Sequence, residues 1–498
     1  MSLLGLDMGT SACKAAVFDE CGNLLAVASR EYAADVPQPG WMEMDPSRMW
    51  NAVIEAIREV SAKATDPVQA LSVSSQGETF IPVDANGIAV GPAIMNADNR
   101  AVEQVRTFER ELGKEGVYSI AGCVLHPMYA LLKIMWLKEH QPDIYNNADK
   151  FLSVGDYILA CLGVTPYTDH SLASRTMAFN VTRRVWSQQL LSIAGISENQ
   201  LPEVRQSGTV AGKLSALIAN KLGLPEGTIV AVGGHDQPCG ALGAGVIESG
   251  DTADSAGSYE CLTVASDNPI LNQDSLASSL NSYCHVVPDK YVTLAFFPAG
   301  VVMRWFRDEL ALPEIDEAKR TGEDVFNILT NHISPGPSGI LFTPHFIGSG
   351  NPSWDVNAAG AVVGMRPDRT RYDLFKSIME GIACELSINV EILEKLVGRI
   401  DMLRTTGGGA KSSFWLQMRA DIIGKKVVSM CSPEAVCLGA AILAGVGAGV
   451  YANPEDGARK AVRFNKTYEP DSLRSSEYAA QLSRYKKLYP SLAQAGVY

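Results

Sequence analysis

The chain has few of the features of a secreted, membrane-bound or metal-stabilised protein. Its ten cysteines are scattered and form no C-x-x-C pair, so no disulfide framework or cysteine-based zinc site is indicated. Its seven histidines show no spacing typical of metal ligands. There is no uninterrupted apolar run of about eighteen residues, and the first residues do not resemble a signal peptide. We therefore expect a cytoplasmic protein without a membrane span.

Positive charge is also scarce. The 498 residues include 42 Lys and Arg against 55 Asp and Glu, which gives a net charge of −13. This balance argues against a nucleic-acid or anionic-membrane partner. Apolar residues make up 46% of the chain, as in globular domains with substantial cores. The length leaves room for two large domains.

The most informative motif opens the chain. Two short apolar runs flank a polar turn, and this pattern predicts a β-hairpin. Gly9 lets the backbone approach an anion, and the N–H and hydroxyl groups of Thr10 and Ser11 can bind phosphate oxygens, with Lys14 close by. Asp7 ends the first strand, where it could hold Mg²⁺. An ordinary hairpin with a polar turn explains the same residues equally well.

A second motif, GGHDQPCGALGAG, begins at Gly233 and follows a predicted buried strand over residues 228–234. Asp236 lies between this strand and a predicted helix, where side chains often line a cleft. Its carboxylate could accept a proton from a substrate hydroxyl. The alternative is that Asp236 caps the helix, and in isolation this second interpretation is the more frequent one.

Two further groups of residues could bind ligands. The run Gly407 to Ser413, GGGAKSS, follows a predicted strand and could let a ring lie against bare backbone, although a flexible turn is the simpler explanation. The P-loop pattern GxxxxGK[ST] is absent. Gln76, Gly77 and Glu78, with Asp98 beyond the next strand, suit the hydroxyls of a sugar, but solvated loops often look the same.

The organisation of the chain suggests two similar halves. Each half opens with a β-hairpin and ends in strand, glycines and helix, and residues 101–206 resemble a helical insertion. We expect domains over residues 1–248 and 249–498. The order strand, helix, strand indicates an α/β fold.

Together the motifs resemble the FGGY carbohydrate kinases. LGLDMGTSACKAAVFD resembles the first phosphate motif of that family, and GGHDQPCGALGAG the segment with its catalytic aspartate. GAVVGMRPDRTRYDLFKSIMEG, from Gly360, resembles one family signature; MYALLKIMWLKEH, from Met128, resembles the other except at Ala130. The resemblance extends over about residues 3–450.

This resemblance implies two actin-like (RNase H-like) domains that face each other across a cleft and close on ATP and a sugar. Asp236 would be the catalytic base and Asp7 the Mg²⁺ ligand. The implied substrate-binding residues are Gln76, Gly77, Glu78, Asp98, Asp236 and Gln237. The implied nucleotide-binding residues are Gly9, Thr10, Ser11, Lys14, Gly257, Ser258, Gly300, Gly409, Ala410 and Ser413.

The loop after Gln76 bears on the substrate. Gly77 replaces the Arg of glycerol kinases and the Met of xylulokinases, and a glycine would open space beside the pocket. Glu78 favours a neutral sugar over an acidic one. We expect a xylulose-like ketopentose or a polyol; a gluconate-type aldonate and a non-enzymatic actin-like switch or sugar sensor are the alternatives. A homodimer is a further expectation.

Overall fold

The computed structural model describes residues 1–497 and has an α/β architecture with one large mixed sheet in each half. The strands of the first half are β1 (Ser2–Met8), β2 (Ala12–Asp19), β3 (Leu24–Glu31), β4 (Glu43–Met44), β5 (Val68–Ser75), β6 (Phe80–Val83), β7 (Ala93–Ile94), β8 (Lys150–Ser153), β9 (Thr168–Asp169), β10 (Phe179–Asn180), β11 (Val185–Trp186), β12 (Val204–Arg205), β13 (Val210–Lys213) and β14 (Ile229–His235). Its helices are α1 (Pro46–Lys63), α2 (Val102–Glu111), α3 (Gly113–Ala121), α4 (Ala130–His140), α5 (Pro142–Asn147), α6 (Val154–Cys161), α7 (His170–Ser174), α8 (Gln188–Ala194), α9 (Ala216–Leu222) and α10 (Asp236–Gly243).

The second half is built in the same way. Its strands are β15 (Thr252–Ala256), β16 (Tyr259–Ser266), β17 (Asn281–Cys284), β18 (Tyr291–Pro298), β19 (Leu341–Thr343), β20 (Ala361–Val363), β21 (Met402–Thr406), β22 (Lys426–Met430) and β23 (Phe464–Tyr468). Its helices are α11 (Gln273–Ala277), α12 (Gly300–Leu310), α13 (Leu312–Thr321), α14 (Val325–Asn331), α15 (Arg371–Val397), α16 (Ser413–Ile423), α17 (Ala435–Gly447), α18 (Pro454–Ala461), α19 (Ser472–Tyr485) and α20 (Leu488–Gln494).

The first large sheet has the order β13-β14-β5-β1-β2-β3. Strands β1, β5 and β14 run parallel to one another, while β2 is antiparallel to both of its neighbours, β1 and β3. Because parallel strands end at one edge of a sheet, the residues that follow β5 and β14 lie beside the end of β1. This edge carries the predicted phosphate hairpin and Asp236.

The second large sheet, β17-β18-β16-β15-β21-β22-β23, repeats that pattern. Strands β15, β21 and β22 are parallel, and β16 and β18 are antiparallel to their neighbours. In the strand order, β15, β21 and β22 correspond to β1, β5 and β14 of the first sheet, and β16 and β18 correspond to β2 and β3. The similarity of the two halves that the sequence suggested is therefore confirmed by strand order.

A crossing of α10 and α17 joins the halves. The backbones approach so closely that a Cβ on Gly243 would lie 1.8 Å from the carbonyl oxygen of Ala435, and one on Gly439 would lie 1.9 Å from that of Cys239. Helix α17 also packs on β1, β5 and β14. The most apolar stretch of the sequence is thus a buried helix, and within residues 1–497 no helix is long and apolar enough to span a membrane.

The predicted insertion also connects the halves. Its helices pack against β17 and β18, and Tyr118 Oη donates a 2.9 Å hydrogen bond to Ser275 Oγ. Some predicted element boundaries differ from the structure. The sequence predicts a long helix over residues 366–396, but α15 begins at Arg371, because Thr370 forms a capping box with Asp373. The sequence also predicts a helix over residues 238–245, but α10 begins two residues earlier, at Asp236.

Candidate active site

Two acidic side chains come together at the edge of the first sheet. Asp7 pairs in register with Ser74 on β5, and Ser74 pairs with Gly234 on β14. Asp7 and Gly234 are therefore two strand spacings apart, about 10 Å. The negative charge of Asp7 contributes to the raised pKa of Asp236, so the two carboxylates interact directly through space.

The environment of Asp236 suits a group that gains and loses a proton. Burial, followed by the charges of Asp7 and Glu78, raises its pKa to about 8. Its Oδ1 atom is buried without a hydrogen-bond partner and lies 3.1 Å from His235 Nε2. His235 stands at the N-cap position and Asp236 is the first residue of the helix. The interpretation of Asp236 as the helix cap is therefore wrong.

Asp7 is a second carboxylate in the site and is partly buried. Burial raises its pKa to about 7, Lys14 opposes this shift and Glu434 adds to it. Its Oδ1 atom has no hydrogen-bond partner. Lys14, predicted to bind nucleotide, forms a 2.6 Å ion pair with Glu434 of the second half, so its charge is already compensated.

The turn between β1 and β2 is held rigidly. The N–H group of Gly9 donates to the carbonyl of Ala12, and the carbonyl of Gly9 accepts from Tyr32 Oη at 2.6 Å. The N–H of Gly9 is thus not free for a phosphate. Thr10 and Ser11 are exposed at the tip of the turn, which leaves their hydroxyls available to a ligand.

The loop after β5 differs from the expectation at Gly77. A Cβ on this residue would lie 2.9 Å from both Arg175 Cβ and His235 Cδ2. The glycine does not open space beside the pocket; it makes room for these two side chains. Glu78 follows in the left-handed region, with φ of 63°, and Arg175 Nε donates a 2.6 Å hydrogen bond to its Oε1.

Several polar atoms near this loop are buried without a hydrogen-bond partner. They include Gln76 Oε1, Thr79 Oγ1 and Arg175 Nη1. Gln237 is half-buried on the first turn of α10, next to Asp236. Because buried polar groups are normally paired, a concentration of unpaired donors and acceptors is typical of a site for a hydroxyl-rich ligand.

Asp98 departs from its predicted role. It is fully buried, and its two oxygens accept hydrogen bonds from the N–H of Met42 and from the backbone and guanidinium of Arg100. Arg100 in turn lies 3.9 Å above the ring of Trp41. Since both of its oxygens are engaged, Asp98 holds the loop together instead of offering a ligand contact.

A cavity with a volume of about 590 Å³ lies in the second half. Four of the predicted nucleotide residues line it: Gly257, Ser258, Gly300 and Gly409. Ala410 and Ser413 are not among its lining residues, and the hydroxyl of Ser413 contacts Tyr468 Oη at 2.9 Å. The volume is in the range of small-molecule sites.

The cavity is lined by both apolar and polar residues. Met303, Phe326 and Trp415 contribute apolar surface. A Cβ on Gly300 would lie 2.3 Å from the carbonyl oxygen of Gly257, so these glycines also allow two backbones to meet. Arg304 donates a 2.8 Å hydrogen bond to Ser258 Oγ. This arrangement can accept a flat ring and an anionic chain.

The cavity and Asp236 both lie close to β16. Glu260 lines the cavity, and the next residue, Cys261, has a thiol pKa raised by burial and then by the charge of Asp236. Helix α10 also contacts β15 and β16. The proposed base therefore lies where the two halves face each other.

Sequence reasoning missed several of these residues. Arg175 lies within the segment TDHSLASRTMAFN, where a single arginine among small residues is the only signal. Tyr283 and Arg304 carry no local signal, because their positions depend on how the halves meet. Within residues 1–497, no three His, Cys, Asp or Glu side chains gather as metal ligands.

Comparisons with known proteins agree with this geometry. The sequence profile of the FGGY family of carbohydrate kinases matches with its N-terminal domain over residues 2–243 and with its C-terminal domain over residues 253–448. The chain is 30% identical to a xylulose kinase of Staphylococcus epidermidis, covering 99% of this chain and 97% of that protein.

Two further relatives are named as kinases of a different sugar, gluconate. A gluconokinase of Bacillus subtilis is also 30% identical, over 90% of this chain and 87% of its own. A crystal structure of gluconate kinase from Lactobacillus acidophilus superposes with a TM-score of 0.88 at 26% identity, covering 99% and 98% of the two chains. Because the chain is equally identical to a xylulose kinase and to a gluconokinase, its sugar substrate has to be inferred from the geometry of the site.

Proposed function

The chain belongs to the FGGY family of carbohydrate kinases and is an ATP-dependent sugar kinase with two actin-like domains, and on this basis we propose that its substrate is a neutral ketopentose or polyol. The observation that carries the proposal is the state of Arg175, a buried cation close enough to Asp236 to act on its pKa. Arg175 is already neutralised by Glu78, so this guanidinium presents no free positive charge to an acidic substrate.

We propose Asp236 as the catalytic base. Its Oδ1 atom, which accepts no hydrogen bond, and its raised pKa suit a carboxylate that takes the proton of the attacking sugar hydroxyl while that oxygen bonds to the terminal phosphorus of ATP. The bond to the bridging oxygen breaks, and ADP leaves. A base with a pKa near the working pH transfers protons efficiently.

Asp7 fits a role beside Mg²⁺. Its buried Oδ1 atom has no protein donor, and a single carboxylate with several waters is an arrangement that Mg²⁺ favours. When bound, the ion would neutralise charge on the phosphates. Asp7 itself would supply the carboxylate near the end of β1, one residue from the turn that begins at Gly9.

The nucleotide would be held from both halves. Gly9, Thr10 and Ser11 would face the phosphates from the first sheet, and the glycines and serine of the cavity would do so from the second. Arg304 supports the phosphate side of the cavity through Ser258. Lys14, Ala410 and Ser413 would act at the margin of this site, since the structure gives them other partners or places them outside the cavity lining.

The sugar would be held by the groups around the loop after β5. Gln76, Glu78 and Gln237 would bind hydroxyls, while Gly77 and Asp98 shape the loop. We retain the division at residues 248 and 249 as the proposed domain boundary, and a homodimer as a further proposal.

An ADP-release assay tests the substrate class. We expect D-xylulose, D-ribulose or xylitol to be phosphorylated with kcat/KM at least about tenfold above that for D-gluconate, the size of effect expected for one charge made or lost in a partly buried site. A preference for D-gluconate would overturn the proposed substrate class. Asp236→Asn serves as the control for contaminating kinases.

A further inference from the structure

A permanently charged side chain is buried at the sugar end of the molecule. Arg175 follows α7 and is only 5% exposed. Its Nε and Nη2 atoms lie 2.6 and 2.5 Å from the same oxygen of Glu78. Since a guanidinium cannot lose its proton in a protein, this charge must be matched by a fixed anion.

Elements from both halves hold Arg175 in place. Its guanidinium lies 5.3 Å from the ring of Tyr129 and 4.8 Å from the ring of Tyr283, which belongs to β17 of the second half. The missing side chain of Gly77 leaves room for it on the side of His235. The cation is therefore fixed and cannot swing away when a ligand arrives.

The ion pair is neutral but not saturated. Among residues 1–497, no donor reaches Oε2 of Glu78, and Nη1 of Arg175 is buried without an acceptor. A sugar hydroxyl can both donate and accept, so it can satisfy such a pair. A carboxylate can only accept and would be repelled by the open oxygen of Glu78.

We propose that the Glu78–Arg175 pair is the filter that makes the sugar site select neutral over acidic substrates, with Arg175 as the positioning residue that fixes Glu78. This inference rests on the proposed function, because it assumes that the sugar binds beside Asp236. It extends that function by identifying the residues that reject an aldonate.

The test compares kcat/KM for D-xylulose with kcat/KM for D-gluconate in four variants. Glu78→Gln leaves Arg175 unmatched, so we expect the ratio to fall about tenfold or more, mainly through the KM of the sugars. Arg175→Met leaves Glu78 unmatched and is expected to raise the ratio while it weakens xylulose binding. The double variant is expected to return towards the wild-type ratio. Arg175→Lys keeps the positive charge, so the ratio is expected to stay within about threefold, while the KM of both sugars rises because lysine lacks the planar guanidinium that holds Glu78.

Glu380→Gln is the matched control, since Glu380 is a buried carboxylate in the second half that accepts from Ser338 and Gln481. It is expected to lower the Tm without changing the ratio. If Glu78→Gln and Arg175→Met change kcat/KM by the same factor for both sugars, as expected for Glu380→Gln, the ion pair has only a structural role and the inference is wrong. If Arg175→Met does not fold, the ratios measured for Glu78→Gln and Arg175→Lys still test the inference. Should the wild-type protein phosphorylate no neutral sugar, the proposed function itself fails.

Discussion

At the scale of single residues, the protonation state of Asp236 that stabilises the fold is the opposite of the one that catalysis needs. Its pKa is raised from the ordinary value of 3.8 to about 8 by burial and by neighbouring carboxylates. The bound proton therefore stabilises the folded state fully below pH 3.8, and that contribution is lost as pH rises through about 8. A base must be unprotonated to act, so the protein works where this side chain destabilises the fold.

Replacing this carboxylate tests its role. We expect Asp236→Asn to lower sugar-dependent ADP release by about a thousandfold, within the usual range for loss of a general base. Nucleotide affinity, measured by titration calorimetry, is expected to stay within about threefold, since the cavity lies in the second half. Turnover near the wild-type value would remove Asp236 from the base role.

The pH dependence of the reaction follows from the raised pKa. We expect kcat/KM for the sugar, at saturating ATP, to rise from about pH 6 to about pH 8.5 with the slope of one proton. Glu78→Gln removes one of the charges that raise the pKa of Asp236, so its profile is expected to shift to lower pH. A flat profile over this range, or a shift to higher pH in Glu78→Gln, would contradict the assignment.

The residue scale is also where sequence reasoning was least complete. Asp7 and Asp236 could be identified because Asp7 lies near the end of a strand and Asp236 directly follows one, each in a recognisable motif. Gly77 was misinterpreted because the side chain that fills its space, Arg175, is about a hundred residues away in the sequence. For Asp98, the sequence could not show that hydrogen bonds from Met42 and Arg100 occupy its carboxylate.

At the scale of elements, the crossing of α10 and α17 determines where Asp236 lies. Both helices follow the third parallel strand of their sheets, and each contributes a glycine at which the other's backbone passes. A methyl group there cannot be accommodated by a side-chain rotation, because the nearest atoms are backbone carbonyls. Any substitution must therefore move α10, and Asp236 with it.

Gly439→Ala tests this coupling. The new Cβ would lie 1.9 Å from the carbonyl oxygen of Cys239. We expect a loss of about 2 kcal/mol in the free energy of unfolding, typical of overpacking, together with a fall in kcat. Urea unfolding and steady-state kinetics measure the two effects.

Gly116→Ala in α3 is the control for this substitution. The added methyl would lie 2.7 Å from Cγ of Leu112, the flexible side chain of a residue one turn away. This side chain can shift, and alanine favours the helix by up to about 1 kcal/mol. Equal destabilisation by the two substitutions would argue against a special crossing.

Elements were predicted better than residues. The opening hairpin and the strand before Asp236 are present, and so is the helix that the sequence predicts over residues 46–64 with Asp45 as its N-cap, because periodicity and capping are local signals. The start of α10 was predicted at Pro238, whereas the helix already begins at Asp236.

At the scale of the whole molecule, the two substrates would approach from different halves. The cavity for the nucleotide is lined by residues of the second half, and the unpaired polar groups for the sugar belong to the first. Phosphoryl transfer requires the two to be brought into line. The repeated sheets were predictable from the order of motifs, but the packing of the insertion on β17 and β18 was not, because it depends on contacts between distant segments.

The most direct measurement is a crystal structure with a non-hydrolysable ATP analogue, Mg²⁺ and a neutral ketopentose. We expect the terminal phosphate beside Thr10 and Ser11, with one sugar hydroxyl within about 3 Å of the Asp236 carboxylate. Phosphates lying away from the β1–β2 turn, or a sugar bound out of reach of Asp236, would contradict the account.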